Sequence, residues 1–181
     1  MAIRTIFFDT SALIKFFIYE EGSDVVKWIC NDEIRSKYSL HYSISEYVKE
    51  EFYKKMDHFK KTGKITTKQA KRIYCIAPCY FRDFFKSRDR DNKPIPIYDD
   101  DNPISAYDII KKYDLNPEKD NGDAKILSCM INFMRYLEGT SKPTLVTSDK
   151  KFKRVIKEEM YAVIDPQKMS IVDVKKYFES L

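Results

Sequence analysis

Four acids in this sequence stand where folding can bring carboxylates together: Asp9, Glu46, Asp123 and Asp149. Asp9 follows the apolar run Ile3–Phe8, and Asp149 follows Thr144–Val146 and the pair Thr147-Ser148. Glu46 falls in the first turn of a helical pattern, and Asp123 opens a strongly apolar one from Ala124 to about Leu137. Strand, acid, helix is the junction found at the carboxyl end of a strand, where open α/β sheets gather ligands. With parallel strands, Asp9, Glu46 and Asp149 share one sheet edge, and Asp123 joins them if its helix starts there. Carboxylates gathered in this way repel one another, and Mg²⁺ or Mn²⁺ with oxygen ligands is the usual compensation. The same positions also suit plain helix capping: acids at N-termini accept free N–H groups, and Ser43-x-x-Glu46 has the form of a capping box.

The elements that must position these acids alternate. Strands are expected at Ile3–Phe8, Ser36–Tyr42, Thr144–Val146 and Tyr161–Ile164, with helices over 12–19, 24–31, 43–61, 66–86, 105–113, 124–137, 150–159 and 171–178. Such alternation predicts an α/β fold with a central, mostly parallel sheet of about four to five strands flanked by helices. No composition shift marks a boundary, so residues 1–181 read as one domain with an irregular, proline-bearing excursion around 87–103. The run Asp99-Asp100-Asp101 in that excursion lacks apolar framing and reads as a solvated loop.

Composition narrows the class further. The chain is 43% hydrophobic and 34% charged, and no apolar run approaches the roughly 20 residues of a membrane span, so no membrane association is expected. The first residues lead straight into a core strand, and no signal peptide is expected; a cytoplasmic setting follows. Four cysteines (Cys30, Cys75, Cys79, Cys129) lack metal-type pairing and are expected to be buried thiols. The net charge of +5 permits a polyanionic partner without establishing one. Its densest basic stretch, Lys49 to Arg72, holds nine Lys and Arg against three acids and is the candidate nucleic-acid footprint. Tyr47, Phe52 and Tyr53, interleaved there, are expected in the core. His41, one of two histidines, lies near the end of the second strand.

In order, Phe8-Asp9-Thr10-Ser11-Ala12-Leu13, Ser45-Glu46, Gly122-Asp123-Ala124-Lys125-Ile126-Leu127 and Leu145-Val146-Thr147-Ser148-Asp149-Lys150 span nearly the whole chain. Together these blocks resemble the PIN-domain nuclease family, which includes the VapC-type toxins of toxin–antitoxin pairs. The resemblance implies a PIN-like fold and a Mg²⁺- or Mn²⁺-dependent endoribonuclease that hydrolyses single-stranded RNA to 5′-phosphate and 3′-hydroxyl ends. By position, Asp9, Glu46, Asp123 and Asp149 would be the catalytic, metal-binding acids, with Ser11 and Thr147 as polar helpers. It further implies an antitoxin protein as partner and a homodimer. Glu50, one turn after Glu46, is an auxiliary acid or part of a solvated face.

Metal held by carboxylates lowers the pKa of water and stabilises charge on attacking and leaving oxygens, so no nucleophilic side chain is needed. An aspartyl phosphatase is disfavoured because Ser11 stands where its second acid belongs. Two alternatives stay open: a PIN-like scaffold that binds RNA or protein without cutting, and a nuclease acting on DNA.

Overall fold

The computed structural model describes residues 4–83, 104–136, 143–159 and 161–180. The chain runs β1 (Arg4–Phe8), α1 (Thr10–Phe17), α2 (Ser23–Ile29), α3 (Asp32–Lys37), β2 (Leu40–Ser43), α4 (Glu46–Lys61) and α5 (Thr67–Asp83). It continues as α6 (Ala106–Tyr113), α7 (Asn121–Tyr136), β3 (Thr144–Val146), α8 (Lys150–Glu158), β4 (Ala162–Ile164) and α9 (Ile171–Ser180). The excursion at 87–103, with its three consecutive aspartates, lies outside the described residues. Among the described residues, no helix is long and apolar enough to cross a membrane.

The sheet has four strands in the order β2-β1-β3-β4, all parallel. β1 is central because both of its faces are covered: Ile6, Phe7 and Phe8 are essentially inaccessible. That is why it reads as a continuous apolar run rather than an alternation. Arg4 pairs with Leu40 and Phe7 with Ser43 on one side, while Ile6 pairs with Thr144 and Phe8 with Val146 on the other. From β1 the chain first adds β2 outward, then crosses back to lay down β3 and β4. The direction reverses between β1 and β3, which makes their carboxyl ends the switch-point crevice of this sheet.

Helices close the core by amphipathic spacing. α4 buries Val48, Phe52 and Met56, one residue per turn, and packs on α1, α5 and α7. Phe52 is in the core as expected, and Tyr47 and Tyr53 are half-buried against it. α5 buries Ala70, Ile73, Ala77 and Phe81. Cys75 and Cys79 fall off that stripe and are exposed, which corrects the expectation of four buried thiols; Cys30 and Cys129 are buried. Cys75 sits two residues from Ile73, about 200° around the helix, and so faces away from the core.

Two further local expectations change. The second strand is shorter and later than the span 36–42, because residues 32–37 form α3. Asn31 caps that helix by accepting from Glu33 N at 2.8 Å, Asp32 and Glu33 fill its first turn, and Arg35 and Lys37 its last. Ser39, at φ 53°, then turns the chain into β2. The cap of α4 is Ser45, which accepts from Val48 N at 3.3 Å, while Ser43 belongs to β2, so Ser43-x-x-Glu46 is not a capping box. Full reciprocal boxes occur instead at Ser105/Asp108, Ser170/Asp173 and Thr66/Gln69.

Gly22 shows how tightly the first crossover is seated. Its φ is +86°, and a Cβ there would sit 2.5 Å from the carbonyl oxygen of Pro166. Backbone conformation and space both require glycine. Gly22→Ala should therefore lower unfolding free energy by about 2 kcal/mol or more in urea titrations. Gly122→Ala, where a Cβ meets nothing within 4 Å in the first turn of α7, should be neutral or mildly stabilising.

Candidate active site

The crevice between β1 and β3 is joined across the switch point by the carboxylate of Asp9. Asp9 is buried, ends β1 and caps α1, with Oδ1 accepting from Ala12 N at 2.7 Å. Ser11 Oγ donates to the same carboxylate at 2.9 Å, and Thr147 Oγ1, from the turn after β3, donates to Oδ2. Each hydroxyl is also an acceptor. Ser11 Oγ takes the N–H of Ser148 at 3.1 Å, and Thr147 Oγ1 takes that of Asp149 at 3.0 Å. The two strand-to-helix turns are thus sewn together through one carboxylate and two hydroxyls. Asp149 itself caps α8, accepting from Phe152 N at 2.8 Å.

Asp9 and Asp149 do cap helices. The parallel sheet sets Asp9, Glu46 and Asp149 at the carboxyl edge, and Asp123, in the first turn of α7, lies within electrostatic reach of Asp9 and Asp149. Burial first, then repulsion from Asp149, Asp9, Glu51 and Asp120, pushes the Asp123 carboxyl up to about 7 from 3.8. Burial is also the main cause raising Asp9 to about 6; its hydrogen bonds oppose the rise and Glu51 adds to it. Among the described residues, no ion pair joins a Lys, Arg or His to Asp9, Asp123, Asp149 or Glu51. The negative charge is balanced by hydroxyls and backbone dipoles instead.

Glu51 is the residue that sequence reasoning passed over. Its Oε2 accepts from Thr10 Oγ1 at 2.6 Å, immediately beside Asp9. Its only signal was position: Glu51 is three residues after the buried Val48, so it borders the packed face of α4, whereas Glu50 is exposed. Glu46 begins α4 at the same sheet edge, with its carboxylate held by Lys49. Five residues separate Glu46 from Glu51, about 140° around the helix, so the two project from different sides of it. His41 lies on β2 opposite Thr5, inside the sheet rather than at its carboxyl edge.

The donor chemistry suits a hard divalent cation: carboxylate oxygens, mutually repelling and partly desolvated. Asp9, Asp123, Glu51 and Asp149 are the residues that would hold one. Among the described residues, no three His, Cys, Asp or Glu side chains are drawn together as a ready-made metal site, so the acids stand as a charge cluster rather than a finished coordination sphere. Neither a protein-family model nor a curated protein matches this chain.

A pH dependence follows from the two raised carboxyls. Between about pH 4 and 7 the folded chain keeps protons that the unfolded chain has released, so stability falls as pH rises. The rise of Asp9 from 3.8 to about 6 corresponds to about 3 kcal/mol. Urea unfolding in EDTA should give a lower free energy at pH 8 than at pH 5, and Asp123→Asn should flatten that slope.

Proposed function

We propose that this chain is a Mg²⁺- or Mn²⁺-dependent nuclease of PIN type that hydrolyses single-stranded RNA. The observation that supports the reading is the grouping of carboxylates at the β1/β3 switch point, where Asp123 is raised by burial and then by repulsion from Asp149, Asp9 and Glu51. When bound, the ion supplies water activation and charge neutralisation on the phosphodiester. The chain's own residues hold and aim. Asp9 is fixed by Ser11 and Thr147, and Asp123 approaches from α7. Glu51 is held by Thr10 and Asp149 by its cap on α8, which leaves Glu46 as a flanking acid.

RNA as substrate, the toxin role, a cytoplasmic setting, an antitoxin partner and a homodimer are supported by the sequence resemblance. A small antitoxin gene directly beside this one would strengthen the toxin role.

The first test is cleavage of a mixed single-stranded RNA pool in Mn²⁺, Mg²⁺ or EDTA, with wild type beside Asp9→Asn and Asp123→Asn. Cleavage should need metal and fall at least 100-fold in both variants; both should remain folded, because Asn retains the capping capacity of Asp9 and Asp123→Asn removes a charge disfavoured by burial and repulsion. A folded wild type that cuts neither RNA nor single-stranded DNA in any metal sinks the nuclease reading and favours a binding scaffold.

A second test needs no substrate. Millimolar Mn²⁺ should raise the wild-type unfolding midpoint at pH 8 and much less at pH 5, where the carboxyls hold protons. Glu51→Gln should diminish the pH 8 effect more than Glu46→Gln. The opposite order would assign the fourth ligand to Glu46.

A further inference from the structure

The helix that Asp149 caps carries a second feature. Along α8, Lys150, Lys153, Arg154 and Lys157 recur at the spacing of one helix face, while Phe152, Val155 and Ile156 are buried on the other. The cationic face forms one wall of a depression of about 610 Å³, closed on the far side by the chain after β4, including Asp165 and Lys168. Lys153 is spent inside the fold, ion-paired to the buried Asp165. Lys150, Lys157 and Lys168 have no ion-pair partner among the described residues, and Arg154 reaches only Glu158, at 3.6 Å on the exposed surface.

Position gives this patch its meaning. Its stripe starts at the residue after Asp149, runs about 10 Å along α8, and lies on the outer side of β3. Lys168 follows β4, so it stands at the same carboxyl edge as the acids. On the α7 side of α8, Lys151 is already committed to Asp120. An acidic centre repels a polyanion; a neighbouring cationic groove must offset that repulsion for the strand to remain bound.

We propose that the depression between α8 and the β4–α9 connection is the track that holds the phosphate backbone of single-stranded RNA beside the acidic edge. Lys150, Arg154, Lys157 and Lys168 make the phosphate contacts. This rests on the nuclease reading for its biological meaning, but the binding itself does not. The basic face of α4 and α5 is the competing footprint: it is richer in lysine and α4 also carries Glu46 and Glu51, yet Lys60 and Lys61 end α4, about 20 Å along the helix from Glu46, whereas the α8 stripe begins at the residue after Asp149.

The test is fluorescence anisotropy of a labelled single-stranded RNA in EDTA, over a series of salt concentrations. The proteins compared are wild type, Lys157→Glu/Lys168→Glu and Lys60→Glu/Lys61→Glu, each checked for folding by circular dichroism. None of these positions touches the acids. Lys157→Glu/Lys168→Glu should weaken binding at least tenfold and lower the slope of log K against log salt by about 1.4, two contacts at about 0.7 each for single strands. The second double variant should stay within about threefold of wild type. Loss confined to Lys60→Glu/Lys61→Glu, equal loss in both, or unchanged binding in both overturns the track. So does a patch that binds anionic vesicles but not RNA. Normal metal-dependent cleavage with an unaffected Lys157→Glu/Lys168→Glu removes the track and leaves the nuclease. Patch-dependent binding without cleavage in any metal does the reverse.

Discussion

A buried carboxylate held by hydroxyls and a backbone N–H is the constraint on which the rest of this structure depends. Asp9 sits at the end of the central strand, shielded from water, and its charge must be answered locally. Ser11, Thr147 and the N–H of Ala12 do so. Because each hydroxyl spends its single proton on Asp9, its oxygen is left to accept the N–H of Ser148 or Asp149. The turn after β3 is therefore shaped by the charge at the end of β1. That same arrangement directs the start of α8, and so the acid that caps it. Hydroxyls offset only part of the desolvation, which is why the Asp9 carboxyl stays elevated and Asp123, with further acids around it, more so.

Capping a helix does not exhaust what these acids can accept. A carboxylate has two oxygens: at Asp149, Oδ1 accepts from the helix, and at Asp9 the hydroxyls share both. Helix dipoles at the starts of α1 and α8 lower the cost of holding negative charge there. The fold thus prepares an anionic edge with its own backbone, and the cationic stripe of α8 begins one residue beyond it.

What the sequence disclosed, and what it withheld, divides along local and tertiary lines. β1 and β3 were legible because strands buried on both faces must be apolar throughout, as Ile6–Phe8 and Leu145–Val146 are, and the edge strand β4 because Ala162–Ile164 is a short apolar run. Asp9 and Asp149 were legible because the acid falls where a period of two gives way to one of 3.6. α3 was not: six residues without a buried side chain carry no periodic signal, only caps. Glu51 was hidden for another reason. Whether an acid bordering the apolar stripe of α4 faces solvent or a neighbour depends on how α4 seats against α1 and α7, and no local pattern records that seating. Cys75 and Cys79 were misjudged because cysteine's usual burial outweighed their offset from the stripe of Ile73 and Ala77.

The central place of β1 also sets when the acidic edge can exist. The bond from Thr147 to Asp9 closes across 138 residues, and among the described residues the partner strand β3 follows seven helices. At ribosomal speeds of roughly 5–20 residues per second, that interval is on the order of ten to thirty seconds. Throughout it, the nascent chain carries an Asp9 with no β3 turn to lock it and no Asp149 beside it. The acidic edge is therefore among the last features of this fold to close, since its lock on Asp9 waits for a turn 138 residues further along the chain.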